Sequence, residues 1–228
     1  MSHDIAGAIE SVQARVERAC ERVGRDPSTV RLVAVSKGHS EEAIRAAYEL
    51  GMRVFGENYA QELAAKASAL RDLPDIRWRF IGHLQRNKIK LIERAPATVD
   101  TVDSVRLAKA LSTRAGASGA NVDALLEVNV GGEAQKSGCS PDGVPALVEA
   151  VRALPSITLR GLMTVAPHLE DAEATRPFFA KLRELAEAHG LPELSMGMTH
   201  DLEQAVEEGA TMLRIGTAIF GPRPSIER

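Results

Sequence analysis

The order of apolar segments predicts an α/β chain folded as a single (β/α)8 TIM barrel with an extra helix at its N-terminus. Three observations predict it. Eight short aliphatic runs alternate with stretches of helical period, no long linker interrupts them, and 228 residues is an ordinary length for one such domain. An open doubly wound sheet is the structural rival, but no G-x-G-x-x-G follows the first strand, which disfavours a dinucleotide fold. The expectation is one domain over residues 1–228.

Ile5, Ile9, Val12, Val16, Ala19 and Val23 recur every three or four positions, so the opening segment is a helix with one apolar stripe. Gly24 offers its C-cap and Asp26-Pro27 a turn. Residues 31–36 form the first strand, and Ser40 with two glutamates behind it opens the next helix. Residues 54–57 are a short second strand, followed by a helix over 59–70. A third strand at 77–81 precedes a basic helix around 87–93. The fourth spans 98–102, and Ser104 caps the helix running through Leu107 and Leu111.

The alternation continues in the second half. Residues 124–130 are the fifth strand; Gly131-Gly132 begins a polar loop before the helix of Val144, Leu147, Val148 and Val151. Strand six covers 158–165 and leads to the helix of Phe178, Phe179, Leu182 and Leu185. Strand seven covers 193–196, with a helix over 202–207, and strand eight covers 212–215. Gly221-Pro222-Arg223-Pro224 then ends the ordered pattern.

Composition excludes several classes. With 28 Lys+Arg against 31 Asp+Glu the net charge is −3, so no overall field draws the chain to nucleic acid or a membrane. The start is polar and lacks a secretory pattern, and no run approaches the roughly 20 apolar residues that span a bilayer. Cys20 and Cys139 fit no metal spacing. A reduced, cytoplasmic setting is expected.

The chemistry starts at Lys37, which closes Arg31-Leu-Val-Ala-Val-Ser-Lys37. A lysine ending a buried strand either snorkels out over the rim or stays partly desolvated. In the second case its pKa falls and its amine becomes a nucleophile towards aldehydes, of which pyridoxal phosphate is the commonest bound by proteins. In a barrel of this kind the active face is built by loops after the strands, and phosphate often sits after strands seven and eight. Those loops are Ser195-Met-Gly-Met-Thr-His-Asp201 and Arg214-Ile-Gly-Thr217. Gly197 and Gly216 permit close approach, Thr199 and Thr217 bring hydroxyls, and Asp201 can cap the next helix. Taken singly, such Gly-Thr pairs are also common turn chemistry. Arg214 either faces a cofactor ring or pairs with a neighbouring carboxylate. Facing a pyridine nitrogen it can only donate, which keeps that nitrogen unprotonated and the ring a poor electron sink.

Several longer segments then fall into one order: Ala34-Val-Ser-Lys37, Phe55-Gly-Glu-Asn58-Tyr-Ala-Gln-Glu62, Phe80-Ile-Gly-His-Leu-Gln85 with Asn87-Lys88, Lys136-Ser-Gly138, Arg160-Gly-Leu-Met163, Ser195-Met-Gly-Met198 and Arg214-Ile-Gly-Thr-Ala-Ile-Phe-Gly221. In these, and over nearly its whole length, the chain closely resembles the pyridoxal phosphate homeostasis proteins, the proline synthetase co-transcribed homologue family. That family is similar to the N-terminal barrel of alanine racemase, the type III fold of pyridoxal phosphate proteins. The resemblance implies Lys37 as the Schiff-base lysine, Arg214 facing the pyridine nitrogen, Asn58 near the ring, and Thr199, Gly216 and Thr217 around the phosphate. Ser195 and Met196 complete the expected cofactor contacts, with pyridoxal 5'-phosphate as cofactor and no metal. Three positions depart from the usual pattern. Gly38 stands where threonine is common and is expected to loosen the backbone beside Lys37, Arg86 replaces a small polar residue, and Thr199 replaces serine.

Other residues are expected to do less. His83 reads as a histidine satisfied by a backbone group, His39 and His168 as exposed, and Cys139 as an ordinary thiol. Glu57 and Glu62 have no evident partner for acid–base work. Arg86 lies in Gln85-Arg-Asn-Lys-Ile-Lys90, read as a solvated helix face rather than a nucleic-acid patch.

Two functions remain: a non-catalytic carrier that limits free pyridoxal phosphate and passes it to apo-enzymes, or a racemase-like enzyme. Racemisation needs an acid–base group on each face of the cofactor-bound carbanion. In alanine racemase the second is a tyrosine from a separate C-terminal domain of the partner subunit. Here the sequence ends shortly after Thr217, so the expectation is a carrier, not an enzyme, and a monomer or weak dimer.

Overall fold

The computed structural model describes residues 3–223. Met1, Ser2 and residues 224–228, including Pro224 of the closing turn, lie outside the described residues. The chain opens with α1 (Ile5–Arg22), whose N-cap Asp4 accepts from the Gly7 amide at 3.1 Å. Its buried stripe is Ile9, Val12, Val16, Ala19 and Cys20. Val23, expected on that stripe, is the C-cap and stands 47% exposed.

The alternation follows: β1 (Arg31–Val35), α2 (Glu41–Glu49), β2 (Val54–Glu57), α3 (Ala60–Ala69) and β3 (Arg77–Phe80). A 3-10 turn (Arg86–Lys88) leads into the one-turn helix α4 (Ile89–Ile92), shorter than the basic helix expected there. Next come β4 (Ala97–Val102), α5 (Val105–Ala117), β5 (Val122–Glu127) and α6 (Val144–Arg152). The chain finishes with β6 (Ile157–Met163), α7 (Arg176–Ala188), β7 (Glu193–Ser195), α8 (Leu202–Glu207), β8 (Met212–Ile215) and α9 (Thr217–Phe220). Ser40 and Ser104 do cap their helices, accepting from Ala43 and Leu107 amides at 3.4 and 3.3 Å.

The strands close as β1-β2-β3-β4-β5-β6-β7-β8, all parallel, with β8 returning to β1 through Arg31↔Met212 to Ala34↔Ile215. This is the (β/α)8 barrel. The fifth strand is displaced towards the N-terminus of its expected range: it ends at Glu127, and Val128, while still donating to the Met163 carbonyl at 2.8 Å, forms an isolated bridge with Cys139.

Strand period sorts the side chains into two layers. Ala34, Phe55, Phe80, Val99, Leu126, Leu162 and Leu213 point outward and join the helices in the main core. Val33, Leu125, Met163 and Met212 form a separate cluster. Those four come from strands on opposite walls, so they meet only through the barrel interior. Phe55, Phe80 and Phe179 are almost fully buried, and truncating any of them to alanine would cost about 3–5 kcal/mol.

The extra N-terminal helix has a structural task. β8, like β3, is followed by a helix of only four residues, here α9. α1 packs against α8, α9 and α2, and so covers the seam between β8 and β1. Arg15 fastens it there, donating to Glu203 at 2.7 Å and to the Thr199 carbonyl at 3.0 Å.

Candidate functional site

Val33 and Val35 alternate with outward-facing Ala34, and two residues further on the same period turns Lys37 towards the carboxyl-end mouth of the barrel. Lys37 is half-buried. Its pKa is pushed below the ordinary lysine value, first by burial and next by the positive charge of Arg223; Glu57 opposes this, Arg214 adds to it, and Glu62 opposes it. The lysine therefore neither snorkels free nor forms an ion pair among the described residues. Burial makes loss of its proton easier than for a solvated lysine.

Arg214 enters the same interior from β8 and is 5% exposed. Its Nη1 donates to Ser195 Oγ at 2.9 Å and its Nη2 to the Thr164 carbonyl at 2.7 Å. Ser195 Oγ in turn donates to Asp100 Oδ2 at 3.2 Å, and Arg79 Nε donates to both Asp100 oxygens at 3.0 Å. So Arg214 reaches a carboxylate only through a serine hydroxyl. The chain Arg79–Asp100–Ser195–Arg214 runs across the barrel and, with the Thr164 carbonyl, holds the guanidinium by two bonds. Burial lowers the Arg214 pKa against the pull of Asp100 and Asp201.

The remaining expected residues divide between the mouth and its surroundings. Thr199 is half-buried with its carbonyl on Arg15; Gly216 is the N-cap of α9, and Thr217 is exposed as its first residue. Gly216 O accepts from the Ile219 and Phe220 amides at 2.9 Å, which leaves the amides of the first α9 turn outside that ladder. Met196 is different. Its side chain is fully buried in the layer that joins strands to helices, so only its backbone is on the side of the mouth. Asn58 follows β2, and its Oδ1 is buried without a hydrogen-bond partner. A cavity opens beside it, lined by Tyr59, Phe80, Gly82 and His83.

One loop expectation is corrected. Asp201 does not cap α8 with its side chain; its carboxylate turns back to the Met198 amide at 2.7 Å. Gly197 has φ +91°, and a Cβ there would sit 2.4 Å from the Ala205 Cβ, so glycine is required by packing of the loop itself.

Four functional candidates escaped the sequence reading. Arg79 and Asp100 lie inside strands and form the network just described. Glu127 ends β5 much as Lys37 follows β1; its Oε2 is buried without a partner, and burial and Asp103 push its pKa up. A carboxylate closing the apolar run Ala124-Leu-Leu126 was the available signal. Lys66 on α3 is buried between Glu57 and Glu62 at 2.8 and 2.6 Å, so these two glutamates do share a partner. Burial, against the Lys66 charge, raises the Glu57 pKa.

The lesser candidates fall to the side. His83 Nδ1 lies 3.4 Å from Ser137 Oγ and 3.9 Å from Asp103, so its partners are side chains rather than the expected backbone group. His39 is half-buried, stacked on Phe220 with centroids 5.0 Å apart, while His168 is exposed. Burial pushes the Cys139 thiol up to about 11, which makes it an inert thiol. Arg86 is exposed in its 3-10 turn. An open cavity of about 920 Å³ lies at the opposite face, at the amino ends of β1 to β3, among Val30, Met52, Arg53 and Arg77. It holds none of the expected residues. Among the described residues no helix is long and apolar enough to cross a membrane.

Comparison with known proteins agrees with this fold. The family of the alanine racemase N-terminal domain matches residues 8–224. A pyridoxal phosphate homeostasis protein of Pseudomonas aeruginosa is 48% identical over 221 residues, covering 96% of each chain. Among solved structures, a protein of unknown function from Bifidobacterium adolescentis is 40% identical with a TM-score of 0.89, covering 95% of this chain and 94% of the other. PipY of Synechococcus elongatus, solved with PLP bound, is 36% identical with a TM-score of 0.83, covering 96% of this chain and all (100%) of PipY.

Proposed function

The chain belongs to the pyridoxal phosphate homeostasis protein family, and from that premise we propose that it binds pyridoxal phosphate through Lys37 and holds it as a carrier. The observation that carries this reading is the pairing of two basic side chains at one mouth: Lys37, half-buried with its pKa lowered by burial, and Arg214, fixed by Ser195 and Thr164. When bound, pyridoxal phosphate supplies an aldehyde carbon that condenses with a neutral lysine amine, forming C=N and releasing water.

The residues present fit that ligand. Asn58 Oδ1 is a buried orphan that a ring hydroxyl would satisfy. Arg214 offers only donors, so it would hold a ring nitrogen unprotonated. Thr199, Gly216 and Thr217 would take the phosphate with hydroxyls and the first amides of α9. Ser195 would act through Arg214, and Met196 through its backbone alone.

A carrier is favoured over a racemase by the same groups. An unprotonated ring is a weak electron sink. Neither tyrosine is held in a buried acid–base position: Tyr48 lies under the Arg53 guanidinium, 3.9 Å from ring centroid to carbon, and Tyr59, which lines the cavity beside Asn58, is 59% exposed at the head of α3. The carrier would supply apo-enzymes in the cytoplasm, as a monomer or weak dimer. The two free thiols suit a reducing compartment.

Equilibrium dialysis with pyridoxal phosphate, together with chiral chromatography of amino acids incubated with the loaded protein, tests the reading. One cofactor per chain and unchanged enantiomers are expected. Multiple turnover of an amino acid would overturn the carrier reading, and failure to retain the cofactor would overturn binding itself.

A further inference from the structure

Both peptide groups flanking Lys37 are gripped by one buried ionic cluster. Lys66 Nζ donates to the Ser36 carbonyl at 2.7 Å, to Glu57 Oε1 at 2.8 Å and to Glu62 Oε1 at 2.6 Å. Those three bonds use every donor an ammonium has. Glu62 Oε1 also accepts from the Gly38 amide at 2.7 Å, and the Ser36 hydroxyl donates to Glu57 Oε1 at 2.6 Å. The chain is therefore held just before Lys37 by its carbonyl and just after it by its amide. Gly38 has φ +73°, so the backbone turns sharply at the point where it is gripped. Glycine here does not loosen the segment, as the sequence suggested; it allows the turn that brings the amide onto Glu62.

Such a cluster is a costly way to join β2 to α3. Lys66 is 5% and Glu57 0% exposed, and charges removed from water often contribute less to stability than well-packed apolar residues of the same volume. An apolar pair, however, could not bond a carbonyl on one side of Lys37 and an amide on the other. We propose that Glu57, Glu62 and Lys66 are positioning residues that clamp the Ser36–Gly38 backbone and so aim Lys37 for covalent capture of an aldehyde. The step itself is the one already written: the lysine nitrogen adds to the aldehyde carbon, C=N forms and water leaves. Glu57 and Glu62 also bear on Lys37 through their charge, both opposing the fall of its pKa. This inference rests on the proposed function, which it deepens from a lysine to the device that orients it.

The test compares Glu62→Ala, Glu62→Gln and Lys66→Met with the parent protein loaded with pyridoxal phosphate. Three quantities are read: the rate of cofactor loss, the position of the visible absorption band, and the thermal midpoint of the unloaded protein. The Glu62 side chain is 24% exposed, so its truncation leaves the Glu57–Lys66 pair in place and the fold intact. Glu62→Ala is expected to lose cofactor about tenfold faster, in the range seen when residues orienting a ligand from behind are removed. Glu62→Gln keeps an oxygen for the Gly38 amide and is expected to recover most of that loss. Lys66→Met is expected to be the weakest binder, and if it fails to fold the Glu62 pair decides. A Glu62→Ala protein that matches the parent in both rate and spectrum overturns the clamp alone. A purely structural role would move the thermal midpoint of all three variants without separating Ala from Gln in cofactor loss, and that result overturns it too. A parent that takes up no cofactor on Lys37 overturns the functional reading, and the clamp falls with it.

Discussion

Removing one oxygen atom tests how Arg214 is held. Ser195 Oγ accepts from Arg214 Nη1 at 2.9 Å and donates to Asp100 Oδ2 at 3.2 Å, fully out of solvent. Ser195→Ala deletes that bridge and leaves both ions in place. A hydrogen bond to a charged group contributes about 1.5–3 kcal/mol, so two set a ceiling of ~6 kcal/mol. The ions are not abandoned, however: Arg214 keeps Thr164 and Asp100 keeps Arg79. The expected loss is about 2–4 kcal/mol. At roughly 2–4 °C per kcal/mol for a chain of this size, the thermal midpoint falls by about 4–16 °C. Urea unfolding followed by circular dichroism measures the loss directly. A loss under about 0.5 kcal/mol, the level of an indifferent surface substitution, would refute the bridge and the fixed arginine with it.

Four further outcomes follow from the same structure. The rate of pyridoxal phosphate attachment is expected to rise with pH and level off below the ordinary lysine value of 10.5, since burial and Arg223 lower the Lys37 pKa. Glu57→Gln removes an opposing negative charge and is expected to move that midpoint lower still; stopped-flow absorbance reads both, and a midpoint at or above 10.5 contradicts the desolvated lysine. Gly161→Ala would put a Cβ 1.9 Å from the Glu193 carbonyl oxygen, so β6 and β7 must separate, at a cost of about 3 kcal/mol or more; an unchanged urea midpoint would deny that contact. Arg15→Ala releases α1 from Glu203 and from the Thr199 carbonyl, and a stability loss of about 1 kcal/mol is expected, visible as faster proteolysis near the N-terminus.

The barrel was legible because parallel strands are buried on both faces and read as unbroken aliphatic runs: Leu32 to Val35 and Ala124 to Leu126 declare themselves without partners. Helix edges were less certain where tertiary contacts decide them. The stretch after Gln85 folds as a 3-10 turn and one helical turn instead of a longer helix, and β5 stops at Glu127 where Val128 bridges Cys139. Lys37 stood out because an amine at the end of a buried strand has a chemistry of its own towards aldehydes, whereas Glu127 at the end of β5 was passed over. Arg79 and Asp100 did not stand out either, although both are charges within strands, because each looks like a solvent-facing residue until closure of the barrel points it inward. Their pairing joins neighbouring strands β3 and β4, and its extension to Ser195 and Arg214 crosses to the far wall. No local pattern encodes that distance. The Glu57–Lys66–Glu62 cluster was missed for a related reason. Glu62 and Lys66 are four apart on α3, a spacing that suggests a surface pair, whereas packing against β2 buries it beside the Lys37 turn.

The most direct measurement is borohydride reduction of the protein saturated with pyridoxal phosphate, followed by peptide mass mapping. The account expects a visible absorption band on loading and one phosphopyridoxyl group, fixed on the peptide that contains Lys37 and absent from Lys37→Ala. Reduction that leaves Lys37 unmodified, or scatters the label over surface lysines in parent and variant alike, would contradict it.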